Sequence, residues 1–223
     1  LLFIAIPFGI YFTAFLPLTT LPHNRYDVFG RFIAYQTHMY NYHSTLQATH
    51  PFESPWYQWP FDIRNVWYYG NYSADSEGHI RTISVLGNPL FFWACVPATV
   101  YAFVRAVKRH SRTALICAIG FLSAYLPWVL VPRCTFIYHY FTAVPFILIA
   151  FLIAYQRLEE TASLRRVVFT KGAVTLTVGR ILLLACVLVH ILMFIAFYPV
   201  LTGTLTTQNY ANALEWLPSW FFI

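Results

Sequence analysis

Long apolar runs alternate with short polar segments along the 223 residues of the chain. A helix needs about 20 mainly apolar residues to cross a bilayer. Runs of roughly this length occupy residues 1–21, 86–104, 113–132, 138–155 and 174–198. The pattern predicts an all-α polytopic membrane protein with about five transmembrane helices.

Residues 22–85, between the first two runs, have a different pattern. From Asp27 to Leu46, apolar and aromatic residues recur at steps of three and four, as on a helix with one apolar face. We interpret this as an external helix lying in the membrane interface, with Asp27 as its N-cap. Packing of that face on the protein itself fits the pattern equally well. The stripe consists of Val28, Phe32, Tyr35, Met39, Tyr42 and Leu46.

The stretch from His50 to Asn71 is rich in Trp, Tyr and Pro. It is too polar to cross a bilayer, but amphipathic rings are stable at the lipid–water boundary. We therefore expect an external aromatic loop, followed by a polar turn over residues 73–84. Residues 86–198 are expected to form a four-helix transmembrane region, and residues 199–223 an external tail.

Composition and charge agree with this organisation. The chain is 59% hydrophobic and only 10% charged, whereas soluble domains contain about 25% charged residues. Its net charge of +6 is spread between loops, which argues against nucleic-acid binding. Eight of the 14 Lys and Arg lie in the two short loops around residues 105–112 and 157–171. The positive-inside rule places these loops in the cytoplasm, and the aromatic loop and C terminus outside.

Two arginines are candidates for binding an anion at the outer surface. Arg133 lies at the outer end of a predicted helix, shortly before Tyr138 and His139, and Arg64 lies in the aromatic loop. A guanidinium offers forked donors that match a phosphate, and Tyr and His can add hydrogen bonds. Snorkelling of either arginine to lipid head groups is the alternative.

Carboxylates and aromatic rings of the loop are further candidates. Glu53 and Asp62 flank the WYQWP core, and each has the chemistry to orient a sugar hydroxyl, act as a base, pair with Arg64 or cap a turn. The rings can stack on a sugar or on isoprene units, or anchor the loop in the interface. The principal rings are Trp56, Tyr57, Trp59 and Trp67.

The cysteines and histidines do not form a metal-binding pattern. The four cysteines stand singly, so neither a disulfide framework nor a zinc site is predicted. His38 and His43 are five residues apart and do not share a helix face. No metal and no other cofactor is therefore expected, and the cysteines are interpreted as small packing residues.

Several blocks resemble the C-terminal four-helix region of protein O-mannosyltransferases. They are MYNYHSTLQATHPFESPWYQWPFDIRNVWYY, the GNP at residues 87–89, and LPWVLVPRCTFIYHYFTAVPF, and the likeness covers about residues 29–198. Within these blocks His50 and Asn88 join the candidates for contact with donor lipid, sugar or acceptor. The segment between the first two runs lacks the MIR domains of eukaryotic members, so the chain resembles the bacterial type.

The resemblance implies an inverting GT-C glycosyltransferase that moves mannose from polyprenyl-phosphate mannose to Ser or Thr of proteins outside the cytoplasm. We assign the donor phosphate to Arg64, Arg133, Tyr138 and His139. The family's catalytic acidic pair lies in the first external loop, near the N terminus. Because Leu1 already lies inside an apolar run, we expect this chain to be the C-terminal part of a longer protein that carries the pair upstream.

Two other classes stay open at this point. A lipid or solute transporter needs ionisable groups along a path through the membrane, and only His190 meets that condition. A non-catalytic membrane scaffold is the second. The favoured interpretation predicts a multi-pass protein of a bacterial cytoplasmic membrane, with a polyprenyl-phosphate-mannose donor, a Ser/Thr-containing protein acceptor and the bilayer as partners. The sequence leaves oligomer formation open.

Overall fold

The computed structural model describes residues 2–17, 27–72, 77–172 and 174–223. The chain divides into two compact units, Leu1–Ala48 and Thr49–Ile223. The first unit contains α1 (Leu2–Thr13) and α2 (Val28–Thr45). The regular elements of the second are a 3-10 helix (Trp56–Phe61), β1 (Val66–Asn71), β2 (His79–Val85), α3 (Pro89–Arg109), α4 (Arg112–Tyr125), two 3-10 helices (Leu126–Leu130 and Ile137–Ala143), α5 (Val144–Glu159), α6 (Ala162–Arg165), β3 (Val167–Lys171), β4 (Val174–Thr177), α7 (Val178–Thr202), β5 (Thr206–Thr207) and α8 (Gln208–Ala213).

The helix predicted after Asp27 is confirmed as α2. The Asp27 carboxylate accepts a hydrogen bond of 2.7 Å from the Gly30 N–H and caps the first turn. Phe32 is buried, and its ring contacts four aromatic rings between residues 8 and 15. Part of the aromatic stripe therefore packs on the protein itself. The pattern did not reveal that Arg31, on another side of the helix, is also buried.

The first predicted span is only partly described. α1 has 12 residues and extends about 18 Å at 1.5 Å per residue, less than the roughly 30 Å of a bilayer core. The predicted span continues to residue 21, and residues 18–26 lie outside the described part of the chain.

A small antiparallel sheet lies where a polar turn was predicted. Strand β2 pairs with β1, with Val66 opposite Val85 and Asn71 opposite Arg81, and its other edge pairs with β5. Burial alternates along β2, where Ile80, Thr82 and Ser84 are buried. The turn prediction was wrong for residues 79–84 because the inward positions carry small hydroxyl residues, which weakened the apolar alternation that marks a strand. Residues 73–76 lie outside the described part.

Among the described residues of the second unit, four helical segments are long and apolar enough to cross a membrane: Pro89–Arg109, Arg112–Leu130, Ile137–Glu159 and Val178–Thr202. They correspond to the predicted second to fifth spans. α3, α4 and α5 meet through small side chains, which let their backbones approach closely. By contrast, α7 is largely exposed along its length and packs on the protein mainly through its C-terminal end, where Phe197 and Val200 are buried.

Candidate functional site

The aromatic loop is joined to the segment before α5 by a pair of hydrogen bonds. The Ser54 N–H donates to the Thr135 carbonyl at 2.8 Å, and the Thr135 hydroxyl donates to the Ser54 carbonyl at 2.9 Å. Both residues are buried, and 81 positions separate them in sequence. This pairing brings the loop that begins at His50 and the segment that begins at Arg133 into one surface.

Trp59 forms the core beneath that surface. Its indole N–H donates to the Ser54 carbonyl and hydroxyl at 3.1 and 3.0 Å, and the side chain is fully buried. Its ring contacts those of Trp128 and His139. A sugar or lipid has no access to Trp59 in this structure, so we assign it to packing rather than to the predicted substrate contact.

Aromatic rings connect the two segments at the surface. The His50 ring lies edge-on to Phe136 at 5.1 Å, and Phe136 stacks on Tyr138 at 5.3 Å. Tyr138 and His139 are 4.5 Å apart, and Tyr68 lies close enough to Tyr138 to act on it electrostatically. Three predicted site residues, His50, Tyr138 and His139, therefore belong to one continuous group of rings.

Arg133 is half-buried beside this group. It lies close enough to Tyr138 and His139 for its charge to act on both. Its side chain forms no hydrogen bond or ion pair with any residue that the structure describes. A half-buried guanidinium without an acidic partner is a suitable donor for an anion that arrives from outside.

Arg64 lies on the loop side. It donates through Nη2 to the Pro51 carbonyl, and its Nε atom is buried without a partner among the described residues. No described contact joins Arg64 to Arg133. The structure therefore brings Arg133, Tyr138 and His139 together, and places Arg64 against the chain next to His50.

The two predicted carboxylates have different surroundings. Glu53 is half-buried, and its Oε2 accepts from the His50 N–H at 3.4 Å. Asp62 is completely buried, and its Oδ1 accepts from the Gly87 N–H at 3.1 Å, whereas its Oδ2 has no partner among the described residues. Neither forms a described ion pair with Arg64, and the Asp62 side chain connects the loop to Gly87, 25 positions later in the sequence.

The fully enclosed position of Asp62 changes its protonation. Burial raises the pKa of its carboxyl from 3.8 to about 7, and the hydrogen bond from Gly87 opposes the rise. The backbone of Asp62 is left-handed, with φ of 53°. Because no surface of the carboxyl is accessible, it serves as a structural group and not as the predicted sugar contact or base.

The remaining predicted contacts differ in accessibility. Tyr57 is 56% exposed on the loop. Trp56 is half-buried and accepts from the Tyr125 hydroxyl through its carbonyl at 2.8 Å. Trp67 donates to the Thr82 hydroxyl at 2.9 Å. Asn88 caps α3 and donates to the His190 carbonyl at 3.3 Å.

Comparison with known proteins decides the family. The family model described as the C-terminal four-transmembrane region of protein O-mannosyltransferase matches residues 28–220. The chain belongs to the protein O-mannosyltransferase family. The predicted resemblance is therefore confirmed, and four apolar helices in a protein of this family define an integral, multi-pass membrane protein.

Individual relatives give the same result. A polyprenol-phosphate-mannose–protein mannosyltransferase of Mycobacterium tuberculosis is 25% identical over 195 residues, which are 83% of this chain and 36% of the relative. A protein of the same description from Mycolicibacterium smegmatis is 25% identical over 242 residues, which are 96% of this chain and 45% of the relative. The chain thus spans less than half the length of these mannosyltransferases.

The fold is shared with a solved structure. The Saccharomyces cerevisiae protein O-mannosyltransferase Pmt1-Pmt2 complex bound to the sugar donor matches with a TM-score of 0.69 and 21% identity. The match covers 90% of this chain and 28% of that chain. The mannosyltransferase fold therefore extends over almost all of this chain.

Sequence reasoning missed several residues that organise this mannosyltransferase surface. Ser54 and Thr135 join its two segments, and Trp128 contacts the loop through Trp59. Asn65 and Phe221 join the loop to the C-terminal tail by two hydrogen bonds. The Ser54–Thr135 and Asn65–Phe221 partners are 81 and 156 positions apart, so no local pattern marks them. The one available signal was the concentration of aromatic residues in the last eight positions.

Proposed function

We propose that this chain is the donor-binding membrane part of an inverting protein O-mannosyltransferase of the GT-C type. The enzyme transfers mannose from polyprenyl-phosphate mannose to Ser or Thr of proteins. The observation that carries the proposal is the family match over residues 28–220. The names of the bacterial relatives, which specify a polyprenol-phosphate-mannose donor and a protein acceptor, support the choice of substrates.

The donor phosphate binds at Arg133 in this proposal. The half-buried guanidinium has no acidic partner among the described residues, and Tyr138 and His139 beside it supply further donors. Negative charge grows on the phosphate as its bond to mannose breaks, so a cation fixed there stabilises the transition state. Arg64, which is half-buried on the loop and has no described ion pair, is the second cation of the site.

The carrier lipid and the sugar contact the rings at the membrane surface. His50, Phe136 and Tyr138 form a continuous aromatic surface beside Arg133, and Tyr57 is an exposed ring of the same loop as His50. Sugar faces and isoprene units both pack well on such rings. Glu53 supports this surface through the His50 N–H, and Trp67 does so through Phe52. Trp56 and Asn88 are proposed as further contacts for the donor or the acceptor.

The acceptor hydroxyl needs a general base. Asp62 is enclosed and Glu53 accepts from the loop backbone, so in this proposal the base comes from a part of the enzyme outside this chain. The role of the chain is then to bind the donor, orient the mannosyl group and stabilise the departing phosphate.

The proposal includes a bacterial cytoplasmic membrane with the aromatic loop and the tail outside. Its support is the concentration of Lys and Arg in the two loops assigned to the cytoplasm. Oligomer formation is part of the proposal because the solved yeast relative is a Pmt1-Pmt2 complex. Labelling of single cysteines from each side of the membrane tests the orientation.

The decisive experiment measures mannose transfer from polyprenyl-phosphate mannose to a Ser/Thr peptide by membranes that contain the full-length protein. Arg133→Ala should raise the donor KM by about 10- to 100-fold, because it removes a charge-assisted contact worth roughly 1.5–3 kcal/mol. Arg133→Lys should fall between Ala and wild type, since it keeps the charge but loses the forked geometry.

Arg81→Ala is the matched control. Arg81 is exposed on β2 and donates to the Gly203 carbonyl at 3.1 Å, away from the proposed site. This variant should keep the wild-type donor KM. An Arg133→Ala enzyme with normal donor KM and rate would refute the phosphate role, and a wild-type protein without transfer would refute the proposed reaction.

A further inference from the structure

The last residues of the chain pack directly against the part of the loop that carries Arg64. Phe222 is fully buried, and Trp220 is 3% exposed. Phe221, which lies between them, forms two hydrogen bonds with the loop residue Asn65, 156 positions earlier in the sequence. These contacts connect the C terminus with the segment from Asp62 to Asn65.

Asn65 is the centre of this connection. Its Nδ2 donates to the Phe221 carbonyl at 2.6 Å, and its Oδ1 accepts from the Phe221 N–H at 2.9 Å. The side-chain amide thus pairs both polar groups of one tail residue, as a neighbouring strand would. Asn65 is completely buried, so loss of either bond leaves a polar group without water.

Two more hydrogen bonds hold the residues on the other side of Arg64. The Trp220 indole N–H donates to the Asp62 carbonyl at 2.7 Å, and the Ser219 hydroxyl donates to the Ile63 carbonyl. Arg64 therefore lies between loop residues that are each tied to the tail. Its backbone has little freedom while these bonds persist.

The Phe221 ring extends the connection toward His50. It contacts Phe52 at 5.8 Å and Trp67 at 5.3 Å. The Phe52 N–H in turn donates to Nδ1 of His50 at 3.2 Å. The tail thus supports Arg64 through its neighbours in the loop and His50 through Phe52.

We infer that the C-terminal segment Ser219–Phe222 is a positioning segment of the donor site, which acts through Asn65 to hold Arg64 in place for the donor phosphate. The inference rests on the proposed function. Neither the tail nor Asn65 touches the donor. Their loss weakens donor binding because a released Arg64 must be ordered again in each binding event.

The test compares full-length wild type and Asn65→Asp in the mannose-transfer assay at pH 8 and pH 5.5. In the variant, an ionised carboxylate repels the Phe221 carbonyl, whereas a protonated carboxyl offers the same donor and acceptor pair as the amide. The donor KM relative to wild type should rise about tenfold at pH 8 and return to within about threefold at pH 5.5. The rate at saturating donor should stay within about twofold of wild type.

Two further variants separate positioning from stability. Phe221→Ala keeps the backbone pairing with Asn65 but removes the ring contacts, and should raise the donor KM by about threefold. Tyr210→Phe removes a hydrogen bond of 2.7 Å to the Ala196 carbonyl, which involves neither Asn65 nor Arg64, and should leave the donor KM unchanged.

A donor KM equal to wild type for Asn65→Asp at both pH values overturns the inference while the proposed function stands. The inference is also overturned if Asn65→Asp lowers the rate at saturating donor and leaves the donor KM unchanged. That result is expected if the tail only stabilises the fold. Absence of transfer by the wild type refutes the proposed function itself, and with it the inference, before any variant is compared.

Discussion

We expect Asp62 to make the stability of the aromatic loop depend on pH. Its carboxyl is buried, with one oxygen bonded to the Gly87 N–H and the other without a described partner. Asp62→Asn keeps the shape and the acceptor for Gly87 and removes the ionisable group. Asn also tolerates the left-handed backbone at φ of 53°. The substitution therefore isolates the effect of the charge.

The expected magnitude follows from the pKa, which burial raises from 3.8 to about 7. Because the folded-state pKa lies above the unfolded one, the folded protein binds the proton more tightly. The stabilisation is complete below pH 3.8 and is lost as pH rises through 7. At pH 5 the carboxyl is about two pH units below its folded pKa, so the wild type should lose about 3 kcal/mol between pH 5 and pH 8.

The assay is thermal unfolding of the full-length protein in detergent micelles, followed by circular dichroism from pH 5 to pH 8. A loss of about 3 kcal/mol should lower the unfolding midpoint of the wild type between pH 5 and pH 8. Asp62→Asn should lack this part of the pH dependence and be the more stable protein at pH 8. Parallel pH profiles for wild type and variant would show that Asp62 is not a buried, protonated carboxyl.

Two further predictions concern packing. A Cβ atom at Gly120 would lie 2.1 Å from Cε1 of Phe146, so Gly120→Ala should lower the free energy of unfolding by about 1–3 kcal/mol in the same assay; an unchanged midpoint would show that Phe146 moves freely. Trp59→Phe removes the indole N–H that donates to Ser54 and should cost about 1–3 kcal/mol, whereas Trp216→Phe, at a ring that is 43% exposed, should change stability by less than about 0.5 kcal/mol. Equal effects of the two Trp variants would contradict the assignment of Trp59 to the core.

The sequence predicted most of the membrane architecture. Four of the five apolar runs correspond to helical segments long enough to cross a bilayer. These segments could be predicted because the bilayer requires each of them separately to be an uninterrupted apolar stretch of a certain length. The cap at Asp27 was readable for a similar reason, since capping depends only on residues within one helical turn.

The strand pairing of the sheet and the contacts of the tail could not be predicted from local sequence. Strand β2 carries Thr82 and Ser84 at inward positions, and their hydroxyls find partners on Trp67, Tyr69 and Phe221. In isolation the segment resembles a polar turn. Only those partners make burial of the hydroxyls favourable.

Arg133, Tyr138 and His139 are near neighbours in sequence and remain together in the structure. Residue types did not reveal that Trp59 and Asp62, which belong to the same aromatic loop as the exposed Tyr57, are completely buried. Composition cannot distinguish a ring that faces the membrane surface from one that faces the core. That difference depends on which side of the loop Thr135 and the tail cover.

The sequence by itself therefore predicted four membrane-spanning segments and the family, because each depends on local composition or on contiguous motifs. The tertiary structure alone decided which loop residues are accessible and how Arg64 is held. Those properties come from hydrogen bonds between the loop, Thr135 and Phe221. Bonds across 81 to 156 residues exist only after the helices and the sheet have brought their ends together.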